Sequence, residues 1–335
     1  MAARVTLDDV ARTAGVSRAT ASRALTGSGP ASAVVRQRVR AAADELGFSP
    51  NQAARALASN KANAVALVMP EPNALVLGDP FLNGMIIGVS EAFRNTDYQL
   101  ILVIVRPDDE AAKAFRLLQS SVDGAIIVSH HFSGQLEHEM EQQRGPLVYV
   151  GRPWSIESAM YVDADNTLCG RLATQQLLRR GARNIACVAG PADMTPVRDR
   201  LTGWRDALNE AGVACGPQAN VAFTLVAGAE AMEDLLARDP SIDGVFAQSD
   251  MLAAGAVRVL QEHGRVVGQD VFVVGVDDSE VARTTTPRLS SVTNPSAELA
   301  LRASRMLLRV LDDGVGSDAV APEIVEPRLV VRESA

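Results

Sequence analysis

Val5-Thr6-Leu7-Asp8-Asp9-Val10-Ala11-Arg12-Thr13-Ala14-Gly15-Val16-Ser17-Arg18-Ala19-Thr20-Ala21-Ser22-Arg23-Ala24-Leu25 reads as two short helices joined by a tight turn. Thr6 can cap free backbone N–H groups at a helix start, and Asp9, three residues on, completes a capping box. Leu7, Val10, Ala11 and Ala14 recur at helical spacing and form one apolar stripe. Gly15 stops this helix, Val16 is an apolar turn residue, and Ser17 can cap the next helix. On the second helix Ala21, Ala24 and Leu25 face inward, leaving Arg18, Ala19, Ser22 and Arg23 outside. Two helices, a Gly-containing turn and an outward face of Arg and small residues make the helix-turn-helix pattern. A third helix, Ser32 to Leu46, supplies Val35, Val39, Ala42, Ala43 and Leu46 as a buried stripe, with Gly47 as its stop.

Charge separates this head from the rest of the chain. The chain has 335 residues and a net charge of −8, yet up to Lys61 nine Arg and Lys face only Asp8, Asp9, Asp44 and Glu45. A basic head on an acidic body points to a polyanion as the partner of the head alone. Nothing in the sequence suggests export: no apolar run approaches the roughly 20 residues a bilayer demands, and the first residues lack a signal-type apolar region. Cys169, Cys187 and Cys215 have no metal-type spacing, so each reads as a small hydrophobe in a reducing cytoplasm.

The quoted stretch resembles the signature of the lactose-repressor family of bacterial transcription regulators. So do Leu46-Gly47-Phe48-Ser49-Pro50-Asn51 and Ala53-Ala54-Arg55-Ala56-Leu57-Ala58. Ala21 stands where the family usually has Val, and Val35 where Thr is frequent. The resemblance implies that Ser17, Thr20 and Ser22 contact the DNA backbone, and that Thr6 and Asn51 belong to the DNA-binding residues. It implies that Arg18, Ala19 and Arg23 read base edges. An Arg fork can bond O6 and N7 of guanine together, whereas Ala offers only a methyl contact. Pro50 suits the start of a short hinge helix, too short to be stable alone in water. By the same resemblance, Leu57 on that helix wedges into the minor groove of a bent operator.

Beyond Asn63 apolar runs alternate with amphipathic stretches. Strands are expected at Val65–Met69, Leu100–Val105, Gly124–Val128, Leu147–Val150, Ile185–Val188, Gly244–Ala247 and Val271–Val276. Helices are expected between most of them, at Leu82–Arg94, Glu110–Gln119, Leu168–Arg180, Val197–Ala211, Met251–His263 and Glu298–Leu311. Continuous Val/Ile runs alternating with helices indicate parallel sheets covered on both faces. The expected fold is therefore an all-α helix-turn-helix head (1–48), a hinge (49–61) and an α/β core (62–335) of two doubly wound subdomains. The resemblance makes that core similar to a periplasmic sugar-binding protein. It places one subdomain at about 62–162 plus 292–322 and the other at about 163–291 plus 323–332.

Ligands of doubly wound sheets sit outside the carboxyl ends of the strands, where this sequence gathers polar residues. Asp79, Phe81, Ser129, Arg152, Arg200, Ser249, Asp277 and Asn294 match the family's effector-contacting positions. Carboxylates accept from sugar hydroxyls, Arg donates back, and an aromatic face covers the apolar side of a ring. Enzyme readings find no support: there is no dinucleotide or phosphate-cradling Gly motif, no nucleophile elbow and no cofactor motif. His130, His131, His138 and His263 form no metal pair. The expectation is a transcription repressor that binds palindromic operator DNA as a homodimer or larger, controlled by a sugar, polyol or nucleoside effector in the cleft of the core. The other reading is a cytoplasmic small-molecule-binding module whose head mediates association.

Overall fold

The computed structural model describes residues 5–26, 31–48, 61–105, 121–132, 145–154, 159–314, 316 and 320–335. The chain divides into two compact units, Met1–Ala62 and Asn63–Ala335. In the first unit, α1 (Leu7–Thr13) starts at Thr6, whose Oγ1 accepts from the Asp9 N–H. The Asp9 carboxylate accepts in return from the Thr6 N–H at 3.0 Å, closing the capping box. Gly15, at φ +62°, makes the left-handed turn that a side chain would strain. Ser17 then caps α2 (Arg18–Thr26), its Oγ accepting from the Thr20 N–H. Ser32 caps α3 (Ala33–Leu46), and Gly47 at φ 63° ends it. The core between the three helices is nearly all Ala and Val, among them Val10, Ala21, Ala24, Val39 and Ala43. Such small side chains let the helices approach closely but bury little surface, so the unit depends on its caps.

The second unit carries two six-stranded sheets. The first lobe holds β1 (Ala64–Met69), β2 (Gln99–Ile104), β3 (Gly124–Val128), β4 (Leu147–Val150) and β5 (Met160–Ala164). Its helices include α4 (Asn73–Gly78) and α5 (Pro80–Phe93). The second lobe holds β6 (Ile185–Ala189), β7 (Gln218–Asn220), β8 (Gly244–Ala247), β9 (Phe272–Asp277) and β10 (Ser290–Thr293). Its helices are α6 (Asn166–Arg179), α7 (Thr195–Glu210), α8 (Leu225–Arg238), α9 (Asp250–Glu262) and α10 (Glu280–Thr284). The chain then returns to the first lobe as α11 (Ser296–Asp313) and β11 (Glu323–Val325), and closes with β12 (Leu329–Val330) in the second. All pairs are parallel except β10 with β12. Strands β1, β3, β6 and β8 are buried along their whole length, as strands covered on both faces must be. Among the described residues no helix is long and apolar enough to cross a membrane.

Three chain segments cross between the lobes, and each falls a few residues beyond the expected point. The first follows Ala164, because Asp163 and Ala164 still pair with β11 in the first sheet. The second follows Thr293, because Val292 and Thr293 still pair with β9 in the second sheet. The third follows Val325 and not Glu323: β11 extends the open edge of β5, and Val325 packs into the first core. Residues 163–164 and 323–325 therefore belong to the first lobe. The expected helix at Glu110–Gln119 lies outside the described residues.

Candidate functional site

On the head, Arg18, Ala19 and Arg23 are exposed along α2. Arg23 folds back so that its Nε donates to the Ala19 carbonyl at 3.2 Å. Arg18 lies 3.6 Å from Asp8. Ser17 and Thr20 share a hydrogen bond of 2.8 Å at the start of the helix, and Ser22 is half-buried one turn on. Thr6 caps α1. Asn51 and Leu57 lie outside the described residues.

In the second unit, the carboxyl ends of strands from both sheets open onto one cavity. Asp79, Phe81 and Ser129 line it from the first lobe, and Arg200, Ser249, Asp277 and Asn294 from the second lobe and its crossing. Local structure fixes each. Asp79 is the N-cap of α5, its Oδ1 accepting from the Phe81 and Leu82 N–H groups. Burial raises its pKa against those two bonds. Ser249 caps α9 through the Leu252 N–H. Asp277 ends β9 at φ 111°, a backbone shape rare for a residue with a side chain. Its Oδ1 accepts from Asn294 Nδ2 at 3.0 Å. Burial, then the charge of Asp250, pushes the Asp277 pKa well up, and Arg200 works against them.

Arg200 is the fixed donor of the cavity. It is 6% exposed, its Nε donates to Asn166 Oδ1 at 2.9 Å, and Nη1 donates to the Gln248 carbonyl at 2.7 Å. Asn166 is itself held by Asp163, whose carboxyl burial pushes up to about 6. Two glycines let α6 and α7 come close enough to place this guanidinium. A methyl at Gly170 would lie 2.0 Å from the Arg200 carbonyl oxygen, and one at Gly203 1.9 Å from that of Thr167. Gly203→Ala is therefore expected to cost about 1–3 kcal/mol of stability. The same variant should bind cleft ligands less tightly, since Arg200 moves with α7. Urea denaturation and calorimetry on the one variant check both effects.

Arg152 does not join this set. Gly151 turns toward the cavity at the end of β4, and the Arg152 guanidinium leaves it to pair with Asp199 at 2.8 Å. The Arg152 main chain still serves the site, its N–H donating to Asp163 Oδ2 at 2.9 Å. Conversely, Glu71, His130, Asp163, Phe223 and Gln248 line the cavity without having been read from the sequence. Glu71 stands two residues past β1, and Gln248 directly follows β8, so the strand-end rule could have reached both. Phe223 comes from the loop before α8 and packs on Gly190, where a Cβ would lie 2.1 Å from its ring. Among the described residues no three His, Cys, Asp or Glu are grouped to hold a metal ion.

Among the described residues the cavity thus sets Glu71, Asp79, Asp163 and Asp277 around the guanidinium of Arg200, with Phe81 and Phe223 as apolar walls. Carboxyl groups in such numbers accept from hydroxyl donors, and they repel anions.

Comparison with known proteins covers both units. Residues 6–51 match the family model for bacterial regulatory proteins, lacI family, and residues 174–335 match a periplasmic binding protein-like domain. The chain is 39% identical to the HTH-type transcriptional regulator CelR of Thermobifida fusca, over 99% of this chain and 98% of the relative. It is 31% identical to the ribose operon repressor of Escherichia coli (strain K12), over 90% and 92%. Among solved structures, a transcriptional regulator CelR–cellobiose complex superposes with TM-score 0.78 at 37% identity, covering 99% of this chain and 100% of that one. A lac repressor dimer bound to operator and the anti-inducer ONPF superposes with TM-score 0.86 at 25% identity, covering 99% of each chain.

Proposed function

Because the chain belongs to the lacI family of bacterial regulatory proteins, we propose that it is a sequence-specific transcription repressor governed by a neutral, polyhydroxylated effector. The observation that carries this reading is one cavity built from strand ends of two sheets, in a chain whose other unit is a helix-turn-helix. On DNA, Arg18, Ala19 and Arg23 read base edges, while Ser17, Thr20 and Ser22 hold the phosphate backbone. A single head spans few base pairs, so a homodimer reads a palindromic operator with two. Thr6, Asn51 and the wedge Leu57 complete the DNA-binding set.

In the cleft, sugar hydroxyls donate to Asp79 and Asp277 and accept from Arg200, with Ser129, Ser249 and Asn294 as further polar contacts. Phe81 and Phe223 cover the C–H faces of a ring. A phosphate group would face several carboxyl groups with, among the described residues, one Arg to offset them, which favours a neutral sugar over a phosphorylated one. The CelR–cellobiose complex and the ribose operon repressor among the relatives support a sugar.

A thermal-shift panel of cellobiose, ribose, cytidine and glucose 6-phosphate tests the effector class. At least one neutral member is expected to raise the melting temperature, and glucose 6-phosphate is expected to leave it unchanged. Stabilisation by the phosphate alone would reject the reading. A truncated chain of residues 63–335 should keep the response to that sugar and lose the mobility shift of palindromic DNA. Retained DNA binding in that chain would remove the head from its proposed role.

A further inference from the structure

Beside the cavity one imidazole joins the two lobes. His131, in the loop after β3, places Nε2 3.0 Å from Glu71 Oε1 and Nδ1 3.0 Å from Asp193 Oδ1. Glu71 follows β1 in the first lobe and lines the cavity, whereas Asp193 precedes α7 in the second. The His131 side chain is only 11% exposed. With a carboxylate at hydrogen-bond distance from each ring nitrogen, both nitrogens donate, which only the protonated ring can do. The Asp193 main chain reinforces the junction: its carbonyl accepts from the Phe132 N–H at 2.9 Å and from Trp154 Nε1 at 2.8 Å. Ser129 Oγ also donates to Glu71 Oε1, and Glu71 lines the cavity.

We propose that His131 is a positioning residue that couples effector capture to closure of the lobes, tying Asp193 of the second lobe to the Glu71 that faces the effector. This rests on the reading of the cleft as the effector site. The charged groups around His131 are Glu71 and Asp193, with Asp79 close to Glu71 and Arg152, after β4, paired to Asp199 on α7. His130, its neighbour in the chain, is held neutral by burial, its pKa lowered to about 4.

Burial disfavours the charge on His131, but Glu71 and Asp193 outweigh it and hold the pKa at about 9, against an ordinary 6.5. Parting the lobes withdraws Asp193 and lets the value fall back, so closing takes up a proton between those two values. The contribution of His131 to closure is complete below the open-form pKa and is lost as pH rises through about 9.

Two measurements on the full chain test this. In the first, spin labels on the exposed Cys215 of the second lobe and on Asn95→Cys in the first report the distance between lobes without ligand. Cys169 and Cys187 are buried and stay unlabelled. The short-distance fraction should fall as pH rises from about 7 to about 10, and in His131→Gln it should be low throughout. Distributions that ignore pH and match between the two proteins would overturn the proposal.

In the second, calorimetry with cellobiose and with ribose in buffers of different ionisation heat counts protons taken up on binding. The unaltered chain should take up a fraction of a proton near pH 8, while His131→Gln and Asp193→Asn take up none. Both variants should bind about tenfold more weakly near neutral pH and converge on the unaltered chain at about pH 10. An equal loss at every pH would make His131 a packing residue only and reject the coupling. If neither sugar binds the unaltered chain, the effector reading fails on its own account, and the label distances alone decide the coupling.

Discussion

Arg200→Ala is expected to weaken effector binding by about a hundredfold or more, with operator affinity in the absence of effector close to that of the unaltered chain. The guanidinium is buried and held by Asn166 and the Gln248 carbonyl, so its remaining donors enter the cavity in one fixed orientation. Deleting it removes those donors, so the ligand oxygens that accepted from them are buried unpaired in the complex. Each such group costs about 1–3 kcal/mol, and about 1.4 kcal/mol is tenfold in affinity. Two ligand oxygens left unpaired reach the stated factor. Arg200→Lys should recover little, because an ammonium cannot keep both side bonds and still reach the ligand. Asp277→Ala should cost less, about tenfold, since the ligand hydroxyl that donated to it is left unpaired while Asp79 remains as a second acceptor. Calorimetry with the sugar that stabilises the protein, together with operator titrations, checks these outcomes. Unchanged ligand affinity in both alanine variants would place the effector elsewhere.

How far the molecule can be read from its sequence depends on where the determining interactions lie. The head is legible because its signals are local. Thr6, Asp9, Gly15, Ser17, Ser32 and Gly47 act on backbone groups within a few residues, so the caps and turns form where they are read. The strands β1, β2, β3, β4, β6, β8 and β9 are legible as short apolar runs rich in Val, Leu and Ile. Others are not. β7 is Gln218-Ala219-Asn220 and β10 is Ser290-Ser291-Val292-Thr293, polar segments with no run to detect. They become strands because β6 and β9 present open edges beside them. The same holds for β11, which joins the first sheet through β5 after a long excursion of the chain.

The cavity divides similarly. Ser249 and Asp277 stand at strand ends and Asp79 opens a helix, while Arg200 lies in the second turn of the helix that follows β6, so a rule about strand ends and the segments after them finds them. Arg152 shows where that rule stops. It follows β4 by two residues, yet Gly151 takes the inward turn at φ 95° and sends the next side chain outward to Asp199. Which of two adjacent residues faces a cleft depends on one backbone angle, and spacing does not encode it. The bridge that His131 makes from Glu71 to Asp193 lies further from view still, because Asp193 across the cleft gives it its arrangement. Contacts between lobes belong to the assembled fold and to no stretch of sequence.

Arg23→Ala is expected to lower specific operator affinity by about 1–3 kcal/mol if its fork bonds a guanine edge. Its geometry favours that use: Nε is occupied by the Ala19 carbonyl one turn back, which steadies the side chain and leaves the two Nη groups to point outward. Arg18 starts from a different position, since it must first leave Asp8, so its substitution should cost less. Salt separates base reading from phosphate grip. Operator affinity should fall with log salt at a slope of about −0.9 for each phosphate neutralised. A base-reading Arg23 leaves that slope nearly unchanged when removed and weakens operator far more than random DNA. A phosphate-gripping Arg23 lowers the slope by about one and weakens both DNAs alike. Titrations of operator and scrambled fragments at several salt concentrations give both quantities from one variant. Parallel losses on the two DNAs would assign Arg23 to the backbone, and base recognition would then rest on Arg18 and the methyl of Ala19.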